Sequence, residues 1–277
     1  MPDRMSDRLS SLILAVEAAD SSKLLHEAVQ NLASANLEGA IPTLIAALSY
    51  NNPGAAVAAV DGLIQLGVAS VPDLLELLDQ HNYTARAWAI RALAGIGDPR
   101  GLVTLLGVAT ADFAMSVRRA AAKGLGMMKW QWFPENLREI AQEEALEALL
   151  FVAQQDEEWV VRYSAVAGLQ ALASAITVTH PEWRSQIQSK LELISASDSS
   201  LAVRGRVEMA LQNLQIESIE RQPLKIEAQP SPLSATDWQT IMEKLSDRKG
   251  QERLVLAEGD PRRYKQLAES IAQKAEY

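Results

Sequence analysis

The chain has 277 residues, 48% of them hydrophobic and 5% aromatic, with a formal charge of -9. That is enough apolar material for one large domain or two modest ones, with a core filled mainly by Ala, Leu, Val and Ile. There is no cysteine, which excludes disulfides, thiolate nucleophiles and cysteine-ligated zinc, and the acidity disfavours nucleic acid as the main ligand.

From the amino end, residues 1–10 mix acids with bases and have no long apolar run behind them. They read as a flexible N-terminus without a signal peptide, and no membrane span is expected anywhere, so the chain reads as cytoplasmic. Residues 11–220 read as all-α, a HEAT-like α-solenoid: a right-handed superhelix of helix pairs. The signal is an internal repeat. Leu63, Leu93, Leu125, Leu169 and Leu211 align, and seven residues before each of the last four stands Arg86, Arg118, Arg162 or Arg204. Asp112, Asp156 and Asp198 stand six before the last three arginines, and Asp79 stands seven before Arg86. Leu32 is a candidate anchor for a degenerate first unit. Companion helices open at Gly39, Val71 and Gly101, each with Pro or Gly signals followed by an apolar run. Neither helix of a pair can bury its apolar stripe alone, so the units must stack.

Between companion and second helix the turns carry Asn51-Asn-Pro-Gly54 and His81-Asn-Tyr83, residue types that cap helices. Gly95-Ile-Gly-Asp-Pro99 terminates a helix and is no phosphate loop, because no strand precedes it. The repeat lengthens from 30–32 residues to 42–44 in the last units, and the extra residues, at 129–138 and 173–183, read as loop insertions. In the first of these, Trp130, Trp132 and Phe133 form either a partner-contact patch or a plug for the wider gap. Residues 221–235, with three prolines, read as a linker. Residues 236–277 read as a short helical tail, with helices over 235–245 and 262–275.

On each second helix, positions 0, 1, 4 and 8 before the anchoring leucine form the buried stripe by their spacing. Positions 2, 5 and 6 fall on the opposite face, the inner surface of such a solenoid. Across successive units these give Asp61, Arg91, Lys123, Ala167 and Met209, then Trp88, Arg119, Tyr163 and Arg206. Either they are a solvated face, or they form one patch in which cations hold carboxylates, Trp88 and Tyr163 cover a flat conjugated ligand, and Asp61 accepts from ring N–H groups. The recurring arginines read instead as an ion-pair ladder between repeats. His26, His81 and His180 form no ligand-type cluster, so no metal site is expected, and no nucleophile–base–acid arrangement can be assembled.

Three segments carry a family resemblance: residues 51–67 (Asn-Asn-Pro-Gly-Ala-Ala-Val-Ala-Ala-Val-Asp-Gly-Leu-Ile-Gln-Leu-Gly), residues 82–99 (Asn-Tyr-Thr-Ala-Arg-Ala-Trp-Ala-Ile-Arg-Ala-Leu-Ala-Gly-Ile-Gly-Asp-Pro) and residues 116–126 (Ser-Val-Arg-Arg-Ala-Ala-Ala-Lys-Gly-Leu-Gly). They resemble the F-type subunit of the heterodimeric phycocyanobilin lyases. The likeness runs over roughly residues 10–215 and is specific in the middle third; the tail after Gln222 lies outside it. The resemblance implies a cyanobacterial subunit that pairs with an E-type HEAT-repeat partner. Together they attach phycocyanobilin, a substrate and not a tightly bound cofactor, through a thioether to a cysteine of the phycocyanin α-subunit. A related pair also isomerises the bilin using a His/Cys motif, and the absence of cysteine here argues against that activity. On this reading Arg91, Arg119 or Lys123 meet the two propionates, Trp88 or Tyr163 the conjugated plane, and Asp61 the protonated pyrrole nitrogens. The competing reading is a non-catalytic HEAT adaptor or chaperone for phycobilisome assembly.

Overall fold

The computed structural model describes residues 2–78, 83–177, 179–220 and 231–254. The chain divides into two compact units, Met1–Pro232 and Leu233–Tyr277. Within the described residues the first unit is a run of six helix pairs. They are α1 (Pro2–Glu17) with α2 (Ser22–Ser34), α3 (Ile41–Ala47) with α4 (Pro53–Leu66), α5 (Val71–Leu78) with α6 (Tyr83–Ile96), α7 (Leu102–Ala111) with α8 (Met115–Gly126), α9 (Glu135–Gln155) with α10 (Trp159–Ala175), and α11 (Pro181–Ser197) with α12 (Leu201–Glu220). Each even-numbered helix packs on its own partner and on the even-numbered helices before and after it, which is the stacking the repeat demands. The second unit contains α13 (Ala235–Leu254).

The buried stripe explains why these segments fold as they do. In the units anchored by Leu63, Leu93, Leu125 and Leu169, all four stripe positions are buried. Each such leucine contributes about 2 kcal/mol by leaving water. The position just before the anchor is always small: Gly62, Ala92, Gly124, Gly168 and Ala210. Small residues let neighbouring helix backbones approach. The limit is reached between α8 and α10, where a Cβ on Gly168 would overlap the Ala122 carbonyl oxygen, so only glycine fits. In the last unit the pattern relaxes, with Leu211 half-buried and Leu214 taking the fully buried place.

Caps and turns set the helix ends. Asn52 accepts from the Ala55 amide at 3.1 Å and donates to the Ser22 carbonyl at 2.8 Å, tying the start of α4 to that of α2. Leu24 donates to Ser21 Oγ at 3.3 Å at the start of α2. The stretch Pro53–Leu78 is long and apolar enough to cross a membrane by length and composition. Here it is α4, a 3-10 turn and α5, half of it buried, and its apolarity is that of a repeat core.

The arginine register forms the expected ladder. Arg118 makes a two-pronged contact with Asp156 of the next repeat, Nε to Oδ2 at 2.7 Å and Nη2 to Oδ1 at 3.0 Å. Arg162 does the same with Asp198 at the same two distances. Each arginine also donates Nη1 at 2.8 Å to the backbone carbonyl of its own repeat's aspartate, Asp112 or Asp156. Arg86 Nη2 lies 2.5 Å from Asp112 Oδ2. Thus the aspartate six residues before an arginine serves the arginine of the preceding unit. Arg204 has no further repeat after it among the described residues. Asp198 is raised by burial, but the bonds from Arg162 and the Ser200 amide, with the charges of Arg162 and Arg204, hold its carboxyl below the usual range. Hydrogen bonding to Asp156 and to Asp198 raises the Arg118 and Arg162 guanidiniums.

Four expectations are corrected. Residues 2–10 belong to α1, whose Leu9, Leu12 and Ile13 pack on the core while Val16 is buried; the apolar stripe starts late, so the first turns look unstructured in sequence. The supposed insertions are mostly longer helices: the companion helices α9 and α11 have 21 and 17 residues against 7 to 10 for α3, α5 and α7, and α10 has 17 against 12 to 14 for α4, α6 and α8. Trp130 and Phe133 are 2% and 1% exposed, with ring centroids 5.3 Å apart. They plug the space under the 3-10 turn Trp130–Trp132 and are not available to a partner; Trp132 is half-buried beneath Lys129, whose Nζ is 4.2 Å from the ring centroid. In the tail, the helix expected over 235–245 continues to Leu254. Asp79 and the His81 turn, residues 221–230 of the expected linker and the expected helix 262–275 lie outside the described residues.

Candidate functional site

The face opposite the buried stripe carries a groove of about 570 Å³ that spans α4, α6, α8 and the start of α10. Five of the six expected pigment-side residues line it: Asp61 from α4, Trp88 and Arg91 from α6, and Arg119 and Lys123 from α8. Helical geometry explains this. Positions 2 and 6 before an anchor are one turn apart on one face, and stacking places the same face of successive helices side by side. Asp61, Arg91, Arg119 and Lys123 are exposed, and Trp88 is half-buried with the Arg91 guanidinium carbon 5.6 Å from its ring centroid.

Among the described residues no carboxylate pairs with Arg91, Arg119 or Lys123, and Asp61 has no ion-pair partner. Three uncompensated cations therefore share a hollow with one acid and one indole. Its apolar lining comprises Ile64, Ala94 and the exposed Met127, among others. Such a site favours a flat, mostly apolar molecule with anionic substituents.

Tyr163 is the exception. It stands outside the groove on α10, and its buried neighbour Ser164 lines the groove instead. The Tyr163 ring lies 6.0 Å from the guanidinium carbon of Arg206, which donates to Gln170 Oε1 at 2.8 Å. Trp130, Trp132 and Phe133 do not line the groove. Sequence reasoning missed Ser116, Ser164 and Met127. Ser164 was within reach, since it stands five before Leu169, one of the very positions that mark the open face. Among the described residues, no group of three His, Asp or Glu side chains could hold a metal ion.

Residues 71–170 match the family model for HEAT repeats. Over 279 aligned residues the chain is 67% identical to the phycocyanobilin lyase subunit beta of Pseudanabaena tenuis, covering 97% of this chain and 99% of that one. The chain belongs to the phycocyanobilin lyase subunit beta family. It is also 46% identical over 210 residues to the phycocyanin alpha phycocyanobilin lyase CpcF of Synechocystis sp., covering 76% of this chain and 96% of the relative. Among solved structures it is similar to the complex of CpcE and CpcF of phycocyanin lyase from Nostoc sp., with 48% identity, a TM-score of 0.57, and coverage of 62% of this chain and 98% of that one. Within this lyase family, then, part of the present chain has a counterpart in the Pseudanabaena subunit and none in the Synechocystis one.

Proposed function

We infer that this chain is the F-type subunit of a heterodimeric bilin lyase which, with an E-type partner, attaches phycocyanobilin to a cysteine of the phycocyanin α-subunit. The observation that carries the reading is the groove: three unpaired cations, an indole and one carboxylate on a common face, in a chain of the lyase family. The pigment carries two propionates, and Arg91, Arg119 and Lys123 supply charge-assisted donors for them. Its conjugated plane suits the face of Trp88. Its pyrrole N–H groups suit Asp61, whose negative charge favours the protonated pigment and so makes the ethylidene carbon a better electrophile.

The reaction is an addition. The acceptor thiolate forms a sulfur–carbon bond at the ethylidene carbon, and the displaced electron pair is taken up by a proton, so nothing is oxidised or reduced. The chain lacks cysteine, which suits a role in which the nucleophile belongs to the acceptor and the lyase supplies position and electrostatics. A free thiol also requires a reducing compartment, which supports the cytoplasm as its place of action. On this reading the bilin is a substrate that comes and goes, and the site needs no resident cofactor.

The test is co-expression of this chain with an E-type subunit, phycocyanobilin and the phycocyanin α-subunit, reading covalent pigment by zinc-induced fluorescence in a denaturing gel. Asp61→Asn is expected to lower transfer at least about tenfold, and Arg91→Ala to lower it by a similar factor when pigment is limiting. Unchanged transfer in both variants would remove the groove from the reaction, and acceptor binding with no transfer at all would make the chain an adaptor.

A further inference from the structure

The groove does not end the open face. The positions 10, 6 and 2 before each anchor fall on one line of a helix, about one turn apart. On α8 that line reads Met115, Arg119, Lys123. On α10 it becomes Trp159, Tyr163, Ala167, and on α12 it becomes Leu201, Gly205, Met209. The cationic character of the groove thus gives way, within the same face, to large apolar side chains. Trp159, Tyr163, Leu201 and Met209 are all exposed, from 38% at Tyr163 to 74% at Leu201. A single exposed apolar residue on a soluble surface needs no explanation, but a row at the same register position in successive repeats does.

Beside this row lies Arg206. Its Nη2 donates to Gln170, the side chain is only half-buried, and no carboxylate pairs with it among the described residues. Burial depresses its pKa. A half-buried guanidinium left without an anion is costly to hold in isolation, which is what a surface waiting for a carboxylate looks like.

We propose that the exposed face of α10 and α12, with Met115 at its near edge, is the docking surface for the acceptor polypeptide, and that Arg206 receives one of its carboxylates. The proposal rests on the lyase reading above. Its occupant follows from continuity with the groove. Ser116 and Ser164, next in sequence to Met115 and Tyr163, line the groove, so a protein seated here lies beside bound pigment. The acceptor has to bring a thiol into bonding distance of that pigment, and no other protein in the reaction has that requirement. The spacing also suits a helix. Stacked helices lie about 8–10 Å apart, so Met115, Trp159 and Leu201 recur at about that interval. Seven residues of an α-helix rise about 10.5 Å. An acceptor helix crossing the three turns therefore meets this row with residues i, i+7 and i+14.

The experiment uses the assembled pair of this chain and its E-type partner, with phycocyanin α-subunit whose receiving cysteine is serine, so that the complex is not consumed. Affinity for this acceptor is measured without pigment, and phycocyanobilin binding to the pair is followed separately by absorbance. In the double variant Trp159→Ala with Leu201→Ser, and separately in Arg206→Gln, acceptor affinity is expected to fall about tenfold or more while pigment binding stays unchanged and the pair elutes intact. Unchanged acceptor affinity in both variants overturns the docking surface. A pair that falls apart overturns it too, because the face would then belong to the E-type interface. Failure of the unaltered pair to bind pigment strikes the lyase reading instead, in a channel that the acceptor titration does not share.

Discussion

Asp61 and Arg91 sit two residues before the anchors of adjacent units, yet they do different chemistry in the groove and their variants separate. Arg91→Ala removes a charge-assisted donor for a propionate, present equally in bound and reacting pigment. It is expected to weaken pigment affinity by about 1.5–3 kcal/mol, measurable by titrating the pair with phycocyanobilin, with little further effect on the rate at saturation. Asp61→Asn keeps the shape and removes the charge that supports the protonated pigment. Its expected signature is a single-turnover attachment rate about tenfold lower with affinity changed much less. If both variants show the same split between affinity and rate, the two roles have been assigned wrongly. The groove residues were legible in sequence because a helix repeats its faces every 3.6 residues. Tyr163 obeyed the same rule and still missed the groove, because which lines of the face curve into a hollow depends on how successive helices cross.

The ladder and the glycine contact belong to the scale of elements. Arg162 and Asp198 are both largely buried, so Arg162→Ala leaves a nearly buried carboxylate with only the Ser200 amide donating to it. A loss of about 2–4 kcal/mol in unfolding free energy is expected, read by urea denaturation. At the α8–α10 crossing, Gly168→Ala forces a Cβ against the Ala122 carbonyl, and overpacking of this kind costs about 1–3 kcal/mol. A melting temperature equal to that of the parent chain would show that the two helices can move apart at no cost. The ladder was visible as a recurrence, a D-x5-R register, whereas the small residue before each anchor gained its meaning only from the packed helices. What sequence could not say was the pairing, since the aspartate lies in the same turn as one arginine and binds the arginine of the unit before.

For the whole molecule, acid is the natural probe. The folded pKa of Asp198 lies below its ordinary value of about 3.9, so its contribution to stability is complete above that value and is lost as the pH falls through the lower, folded one. Thermal melts should therefore begin to lose the Asp198 contribution as the pH falls below about 4, and Asp198→Asn should blunt that loss. The repeat period, the all-helical class, the open face and its charges were determined by sequence alone, because amphipathic helices with a fixed register have one way to bury their stripes. Tertiary structure decided the rest. It showed that Trp130 and Phe133 fill a gap, that residues 2–10 are helix, and that the longer repeats spend their extra residues on helix and little on loop. The gap and the repeat lengths turn on the volume left between neighbouring helices, which is set by packing across repeats, and the first turns of α1 are helix because the later apolar stripe packs on the core; no single segment of sequence carries either property.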